Sequence, residues 1–165
     1  NTNAIITGID ISDKMLEIGE QKIKKLNLEN RIILKIGDAE KTSFKKNSFD
    51  AITIGFGVRN FENLDLGLKE MHRILKKNGQ IAILEPSIPT FFPLKQIYNL
   101  YFHILLPKIG GWFSKDTSAY SYLPKSVKSF PAKKQFLEKL KKIGFTNQRH
   151  ISLSLGIVSL YVAIK

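Results

Sequence analysis

The chain has 165 residues, which suits one domain, and its 43% hydrophobic and 24% charged residues are typical of an ordinary globular protein. Its 26 Lys and Arg residues outnumber 14 Asp and Glu residues, giving a net charge of +12. The absence of cysteine excludes disulfides, Cys-based zinc sites and thiol nucleophiles. Only four of the basic residues are Arg, so the charge favours a dispersed lysine-rich surface over a nucleic-acid interface. No apolar run reaches the ~18 residues of a membrane span, and the first residues do not resemble a signal peptide.

The first third of the chain predicts two buried strands joined by a helix. Residues Ala4–Ile9 form an apolar run that ends at Asp10, and Ser12 is placed to cap the following helix. A second β-branched run, Arg31–Ile36, stops at Gly37–Asp38.

The middle third continues the same alternation. Phe49–Ile54 predicts a strand, and the loop Gly55–Asn60 follows it. Apolar residues at helical spacing over Leu64–Leu75 predict a helix that Asn78–Gly79 ends, and Gln80–Leu84 predicts the next strand. Strands apolar on both faces that alternate with helices indicate an α/β fold with a mainly parallel, doubly covered sheet.

The last third departs from this alternation. Phe91–Leu106 predicts an aromatic and aliphatic helix, and a Gly/Ser/Tyr-rich stretch, Gly110–Ser126, follows it. A basic helix is expected over Ala132–Ile143. Phe145–Leu155 and Ile157–Ile164 predict two strands of an antiparallel hairpin.

Three carboxylates stand where predicted strands end: Asp10, Asp38 and Glu85. Ligands of open α/β sheets bind outside the carboxyl ends of the strands, and an acid there can accept both hydroxyls of a ribose. A second acid one strand over could accept an exocyclic amine. The alternative, in which each acid only caps a turn, stays open on the residues alone.

Four segments resemble the motifs of class I S-adenosylmethionine methyltransferases. They are Gly8-Ile9-Asp10-Ile11-Ser12 with Met15-Leu16, Gly37-Asp38-Ala39-Glu40, Phe49–Ile54 and Glu70–Gln80. Two further segments, Ile54–Asn60 and Phe102–Gly110 continuing to Tyr120–Leu123, resemble the UbiE/MenG family, whose members C-methylate ubiquinone and menaquinone precursors.

The resemblance implies S-adenosylmethionine as cofactor, a lipid-tailed quinol as substrate and a Rossmann-like methyltransferase sheet. The implied cofactor-binding residues are Asp10 for the ribose, Asp38 and Ala39 for the adenine, Ile11 and Met15 beside the ring, and Gly55. For Ile11 and Met15, plain core packing stays an equal alternative. The implied catalytic residues are Arg59, Asn60, Asp116, Tyr120 and Tyr122. No pair of histidines has metal-ligand spacing, so we predict no metal site.

In the family a first strand with a Gly-rich loop lies between the strands that end here at Asp10 and Ile54. No segment of the sequence corresponds to it, so we expect a single, N-terminally truncated domain over residues 1–165 and a Gly-rich strand before Asn1 in the intact protein. Within it, residues 87–130 are expected to form a substrate-side insertion or lid.

Two other functions stay open. The net positive charge is compatible with a nucleic-acid methyltransferase. The loop Gly55–Val58, however, lacks the prolines typical of amino-methylating enzymes of that class, so we expect no nucleic-acid partner. An inactive, non-enzymatic relative would explain the missing cofactor motif. A nicotinamide oxidoreductase is disfavoured, because Gly55-Phe56-Gly57 is not continued to a third glycine at Asn60. We expect a cytoplasmic protein; peripheral contact with the inner membrane face and the oligomeric state are left open.

Overall fold

Strands and helices alternate along residues 3–100, 118–131 and 133–165, the parts of the chain that the computed structural model describes. The strands are β1 Ile6–Asp10, β2 Ile32–Ile36, β3 Phe49–Gly55, β4 Leu75–Pro86, β5 Thr146–Leu153 and β6 Val158–Ile164. The α-helices are α1 Asp13–Lys25, α2 Leu64–Ile74, α3 Leu94–Leu100, α4 Ser118–Ser129 and α5 Lys134–Ile143. One-turn 3₁₀ helices lie at Val58–Asn60 and Ser154–Gly156.

The unit β1–α1–β2 forms as the sequence predicts. Ser12 caps α1, because its side chain accepts the N–H of Met15. Strands β1 and β2 pair in parallel from Ile6 opposite Ile32 to Asp10 opposite Ile36. Helix α1 approaches this pair closely: a Cβ added at either Gly8 or Gly19 would lie 2.6 Å from the Leu34 side chain. Glycine at both positions therefore leaves the room that Leu34 fills.

A second sheet has the order β3–β4–β6–β5 and carries the hydrophobic core. Strand β4 is parallel to β3, while β6 is antiparallel to both β4 and β5. Helices α2 and α5 contact each other and cover this sheet. The buried cluster consists of Val58, Leu68, Met71, Ile74, Leu75, Ile81, Ile83, Phe130, Phe136, Leu140, Phe145, Tyr161 and Ala163. The expected C-terminal hairpin is confirmed, and parallel and antiparallel pairings are equally represented among the described strands.

The predicted end of α2 is wrong. The helix ends at Ile74, not at Asn78–Gly79, and β4 begins at once with Leu75. Leu75 is fully buried and pairs with Phe49, and its carbonyl accepts a hydrogen bond from Lys165 Nζ at 2.7 Å. Burial and strand pairing therefore override the turn signal, and Asn78, with φ at 62°, lies in an irregular stretch of the β3–β4 pairing.

The described strands form two sheets. β1 pairs with β2, and β3 pairs with β4. Among the described residues, no strand lies between β1 and β3 to join the two sheets. The connection between the two sheets runs through the segment after β2. Thr42 donates from its N–H and its hydroxyl to Glu70 on α2, and Arg73 of the same helix donates to the Phe44 carbonyl.

The predicted helix Phe91–Leu106 is partly described. Helix α3 covers Leu94–Leu100, and residues 101–117 lie outside the described residues. The Gly/Ser/Tyr-rich stretch, for which we predicted no element, ends in helix α4, which contains Pro124. None of the helices in the described ranges has the length and apolar character needed to span a membrane.

Candidate functional site

Asp10 and Asp38 follow adjacent parallel strands and lie at the same edge of the β1–β2 pair. The N–H of Gly37 donates to the Asp10 carbonyl at 3.0 Å, which joins the two loops directly. Asp10 Oδ1 accepts the N–H of Ser12, and Asp38 Oδ1 accepts the N–H of Glu40. Each acid thus orders its own turn, but a carboxylate offers about four lone-pair sites, so one such bond leaves capacity for a ligand.

Apolar side chains next to Asp10 face outward. Ile11 is 75% exposed and Met15 is 56% exposed, so neither packs in the core formed by the described residues. Ala39, in contrast, is half-buried and packs against the core. Exposed aliphatic and thioether groups beside two acids form a surface suited to a flat aromatic ring that carries polar substituents.

The loop after β3 begins with open space and a strained residue. A Cβ added at Gly55 would meet no atom of the described residues within 4 Å. Phe56 has φ at 58°, a conformation that is costly for a bulky residue, and its side chain is 45% exposed. Its N–H donates to the Leu84 carbonyl, and its own carbonyl accepts from Arg59 Nη1 and Asn60 Nδ2. These contacts hold the loop in its strained form.

Arg59 is ion-paired with Glu85 at the end of β4. Arg59 Nη1 lies 3.0 Å from Glu85 Oε2, and the two side chains are only 11% and 1% exposed. Glu85 Oε1 accepts the backbone N–H of Val58 at 2.7 Å and that of Arg59 at 3.3 Å. Arg59 Nε is buried and has no protein partner among the described residues. The guanidinium is thus held at Nη1, while Nε is buried without a hydrogen-bond partner among the described residues.

Asn60 connects this loop to helix α4. The Tyr122 hydroxyl donates to Asn60 Oδ1 at 2.9 Å, and the Tyr122 side chain is 51% exposed. The structure therefore brings together three of the five catalytic residues that the resemblance implied, Arg59, Asn60 and Tyr122. Tyr120 lies on the same helix, but its side chain and the whole of Asp116 fall outside the described residues.

Glu40 joins the Asp38 loop to the Arg59 loop. Its carboxylate accepts the N–H of Glu62 at 2.6 Å through one oxygen and the N–H of Asn63 at 2.8 Å through the other. Asn63 is itself the N-cap of α2, and its side chain accepts the N–H of Leu66. The two groups of predicted site residues are consequently parts of one hydrogen-bonded surface.

Sequence reasoning missed the roles of Glu40, Phe56 and Glu85. Glu40 ends the Gly37-Asp38-Ala39-Glu40 motif, and Glu85 is one of the three strand-end acids, so the sequence carried a signal for both. Phe56 between Gly55 and Gly57 is an aromatic residue at a place where the chain turns sharply, which is a weaker signal. In the described ranges, no group of three His, Cys, Asp or Glu side chains is arranged to hold a metal ion.

Known proteins resemble this chain in sequence, and solved structures resemble it in fold. The chain is 44% identical over 160 residues to the demethylmenaquinone methyltransferase of Bacteroides fragilis, covering 97% of this chain and 65% of that protein. It is 46% identical to the ubiquinone/menaquinone biosynthesis C-methyltransferase UbiE of Geotalea daltonii, with 97% and 68% covered.

Among solved structures, phosphoethanolamine N-methyltransferase 2 of Haemonchus contortus, in complex with S-adenosyl-L-methionine, superimposes with a TM-score of 0.65 at 15% identity. That match covers 96% of this chain and 43% of the other and bears on the fold alone. Residues 1–165 match the family model of the ubiE/COQ5 methyltransferases. The chain belongs to the ubiE/COQ5 methyltransferase family and spans about two thirds of the length of the B. fragilis relative.

Proposed function

We propose that the full-length protein uses S-adenosylmethionine to methylate a ring carbon of a polyprenylated quinol precursor. The reaction would convert demethylmenaquinol to menaquinol, or its counterpart in the ubiquinol pathway. The observation that carries the proposal is the Glu40 contact, which joins the loop of Asp38 to Glu62 and Asn63, directly after the loop of Arg59 and Asn60. Membership in the family and the names of its relatives supply the substrate class.

The residues beside β1 and β2 fit the cofactor. Asp10 would accept the ribose hydroxyls, and Asp38 with the Ala39 backbone would contact the adenine. Ile11 and Met15 would flank the ring, and their exposure supports this role. Gly55 would line the site, where the open space above it leaves room. When bound, S-adenosylmethionine supplies a methyl group on a positively charged sulfur.

The residues of the 56–60 loop would prepare the acceptor. The ring hydroxyl has to lose a proton to make the neighbouring carbon nucleophilic, and the ring proton leaves after methylation. An arginine side chain offers N–H donors and no acceptor, so Arg59 would stabilise the ring oxyanion and not act as the base. Asn60, hydrogen-bonded to Tyr122, would hold the quinol oxygen or a water molecule. Asp116, Tyr120 and Tyr122 are the candidate proton acceptors.

Residues 87–130 would form the lid and the entrance for the lipid tail. Phe91, Phe92, Ile97 and Leu100 are 50–78% exposed on and just before α3. An exposed apolar helix of this kind suits an isoprenoid tail or the interface of a membrane. We propose a cytoplasmic protein that contacts the membrane peripherally while its substrate tail stays in the bilayer.

The test is methyl transfer by the full-length protein. We expect label from S-adenosylmethionine carrying a radioactive methyl group to appear on the ring carbon of a demethylmenaquinol acceptor. Arg59→Ala should lower turnover by at least ~10²-fold, the scale for losing one oxyanion-stabilising group, while cofactor affinity stays near normal. Label in RNA or DNA in place of the quinol would support a nucleic-acid methyltransferase. Cofactor binding without transfer to any acceptor would support a non-enzymatic relative.

A further inference from the structure

Glu85 is a buried acid to which the proposed chemistry gives no task. It is 0% exposed and is the one charged residue among the fully buried residues of the described ranges. Burial raises the pKa of the Glu85 carboxyl, while the Arg59 guanidinium and two backbone N–H groups act in the opposite direction. A buried carboxylate is costly unless its oxygens are hydrogen-bonded, so its partners show what it holds.

All of the hydrogen-bond partners of Glu85 among the described residues belong to one turn. Its two oxygens accept from the Val58 N–H, the Arg59 N–H and Arg59 Nη1. A carboxylate accepts at both oxygens, whereas the amide of a glutamine would turn an NH₂ group toward one of these donors. The turn therefore requires an acid at this position and not merely a side chain of similar size.

We propose that Glu85 is a positioning residue that fixes the direction of the Arg59 guanidinium before the substrate binds. The inference rests on the proposed function, in which Arg59 contacts the ring oxygen. Arg59 Nη1 is held between Glu85 and the Phe56 carbonyl, so the orientation of the planar group is set by folding. A pre-organised donor needs no reorganisation when negative charge develops on the substrate.

A purely structural role for Glu85 makes a different prediction. It implies that replacing Glu85 lowers stability while the turnover of the folded molecules stays normal. A positioning role implies that turnover falls, that cofactor affinity is kept, and that the loss depends on the presence of Arg59.

The experiment is a double-mutant cycle in the full-length protein with Glu85→Gln, Arg59→Ala and the combined variant. We expect Glu85→Gln to lower turnover about 10- to 100-fold at unchanged affinity for S-adenosylhomocysteine. The combined variant should be no slower than Arg59→Ala alone, because Glu85 acts through Arg59. Glu85→Asp, which keeps the charge, should recover part of the turnover. Ser159→Ala is the matched control, because Ser159 pairs with Glu85 in the sheet and the change removes a buried polar contact, between Ser159 Oγ and His150 Nε2.

Backbone amide exchange gives a readout that needs no activity. Glu85→Gln should accelerate exchange at Val58 and Arg59, and Ser159→Ala should not. The inference would be overturned if the turnover losses of the two single variants multiply in the combined variant. It would also be overturned if Glu85→Gln leaves amide exchange at Val58 and Arg59 unchanged. A wild-type protein with no turnover would overturn the proposed function instead, and the exchange data would still decide whether Glu85 holds the turn.

Discussion

The two sheets of the molecule differ sharply in burial. Every fully buried residue in the described ranges lies at or after Val58, and none occurs between residues 3 and 57. Helix α1 has no buried residue, whereas α2 buries Gly67, Leu68, Met71 and Ile74. Within the described residues, the β3–β6 sheet therefore holds the core, and the β1–α1–β2 unit is a thin layer that hydrogen bonds join to it.

This difference separates stability from cofactor binding. The acids proposed to hold the cofactor, Asp10 and Asp38, stand on the thin layer, while Arg59 and Glu85 stand on the core sheet. A region with few buried apolar contacts opens locally at low cost. A ligand that contacts both regions should then stabilise the thin layer more than the core.

The largest expected effect is on stability and contrasts two isoleucines in strands. Ile81 in β4 is 0% exposed and Ile33 in β2 is 48% exposed. We expect Ile81→Ala to lower the free energy of unfolding by about 2–5 kcal/mol, since it leaves a cavity in the core. Ile33→Ala should lower the free energy of unfolding by less than about 1 kcal/mol. Urea denaturation of both variants of the 165-residue chain measures the contrast, and equal losses would mean that the two sheets do not differ as described.

A smaller effect is expected from the contact that joins the two regions. Glu40→Gln removes the charge from an acid that accepts two backbone N–H groups at the start of α2. We expect a loss of about 1–2 kcal/mol of unfolding free energy, together with faster amide exchange at Glu62 and Asn63. Glu17→Gln, an exposed acid of α1, is the control. Unchanged exchange at Glu62 and Asn63 in Glu40→Gln would mean that Glu40 does not join the loops.

The smallest effect depends on pH and concerns Glu70. The Arg73 side chain, through its hydrogen bonds, holds the pKa of Glu70 below its usual value of 4.5, against a smaller opposing effect of burial. The stabilisation is complete above pH 4.5 and is lost as the pH falls through the lowered pKa of the folded state. Because the pair is partly exposed, we expect Glu70 to contribute less than about 1 kcal/mol to the free energy of unfolding. The stability of the wild-type protein should fall more steeply below pH 4.5 than that of Glu70→Gln. Parallel pH profiles in urea denaturation would contradict the assignment.

The fold and the positions of Asp10 and Asp38 were predictable because they depend on local pattern. The apolar runs before Asp10 and Asp38 are local features of the sequence, so they place both acids at strand ends independently of contacts with the rest of the chain. The end of α2 was not predictable, since the burial of Leu75 against Phe49 outweighs the Asn78–Gly79 turn signal. The same holds for Glu85: its role depends on where the Arg59 side chain lies, which no spacing in the sequence reveals.

Calorimetric titration of the full-length protein with S-adenosylhomocysteine tests the central claim, that the carboxyl edge of β1 and β2 binds the cofactor. Asp10→Ala is the test variant, and Asp50→Ala, an exposed acid at the opposite end of β3, is the control. Loss of a hydrogen bond to a charged group costs about 1.5–3 kcal/mol, so Asp10→Ala should weaken binding roughly 10- to 150-fold. Asp50→Ala should leave the affinity unchanged. Equal affinity of wild type and Asp10→Ala would contradict the account and remove Asp10 as a cofactor ligand.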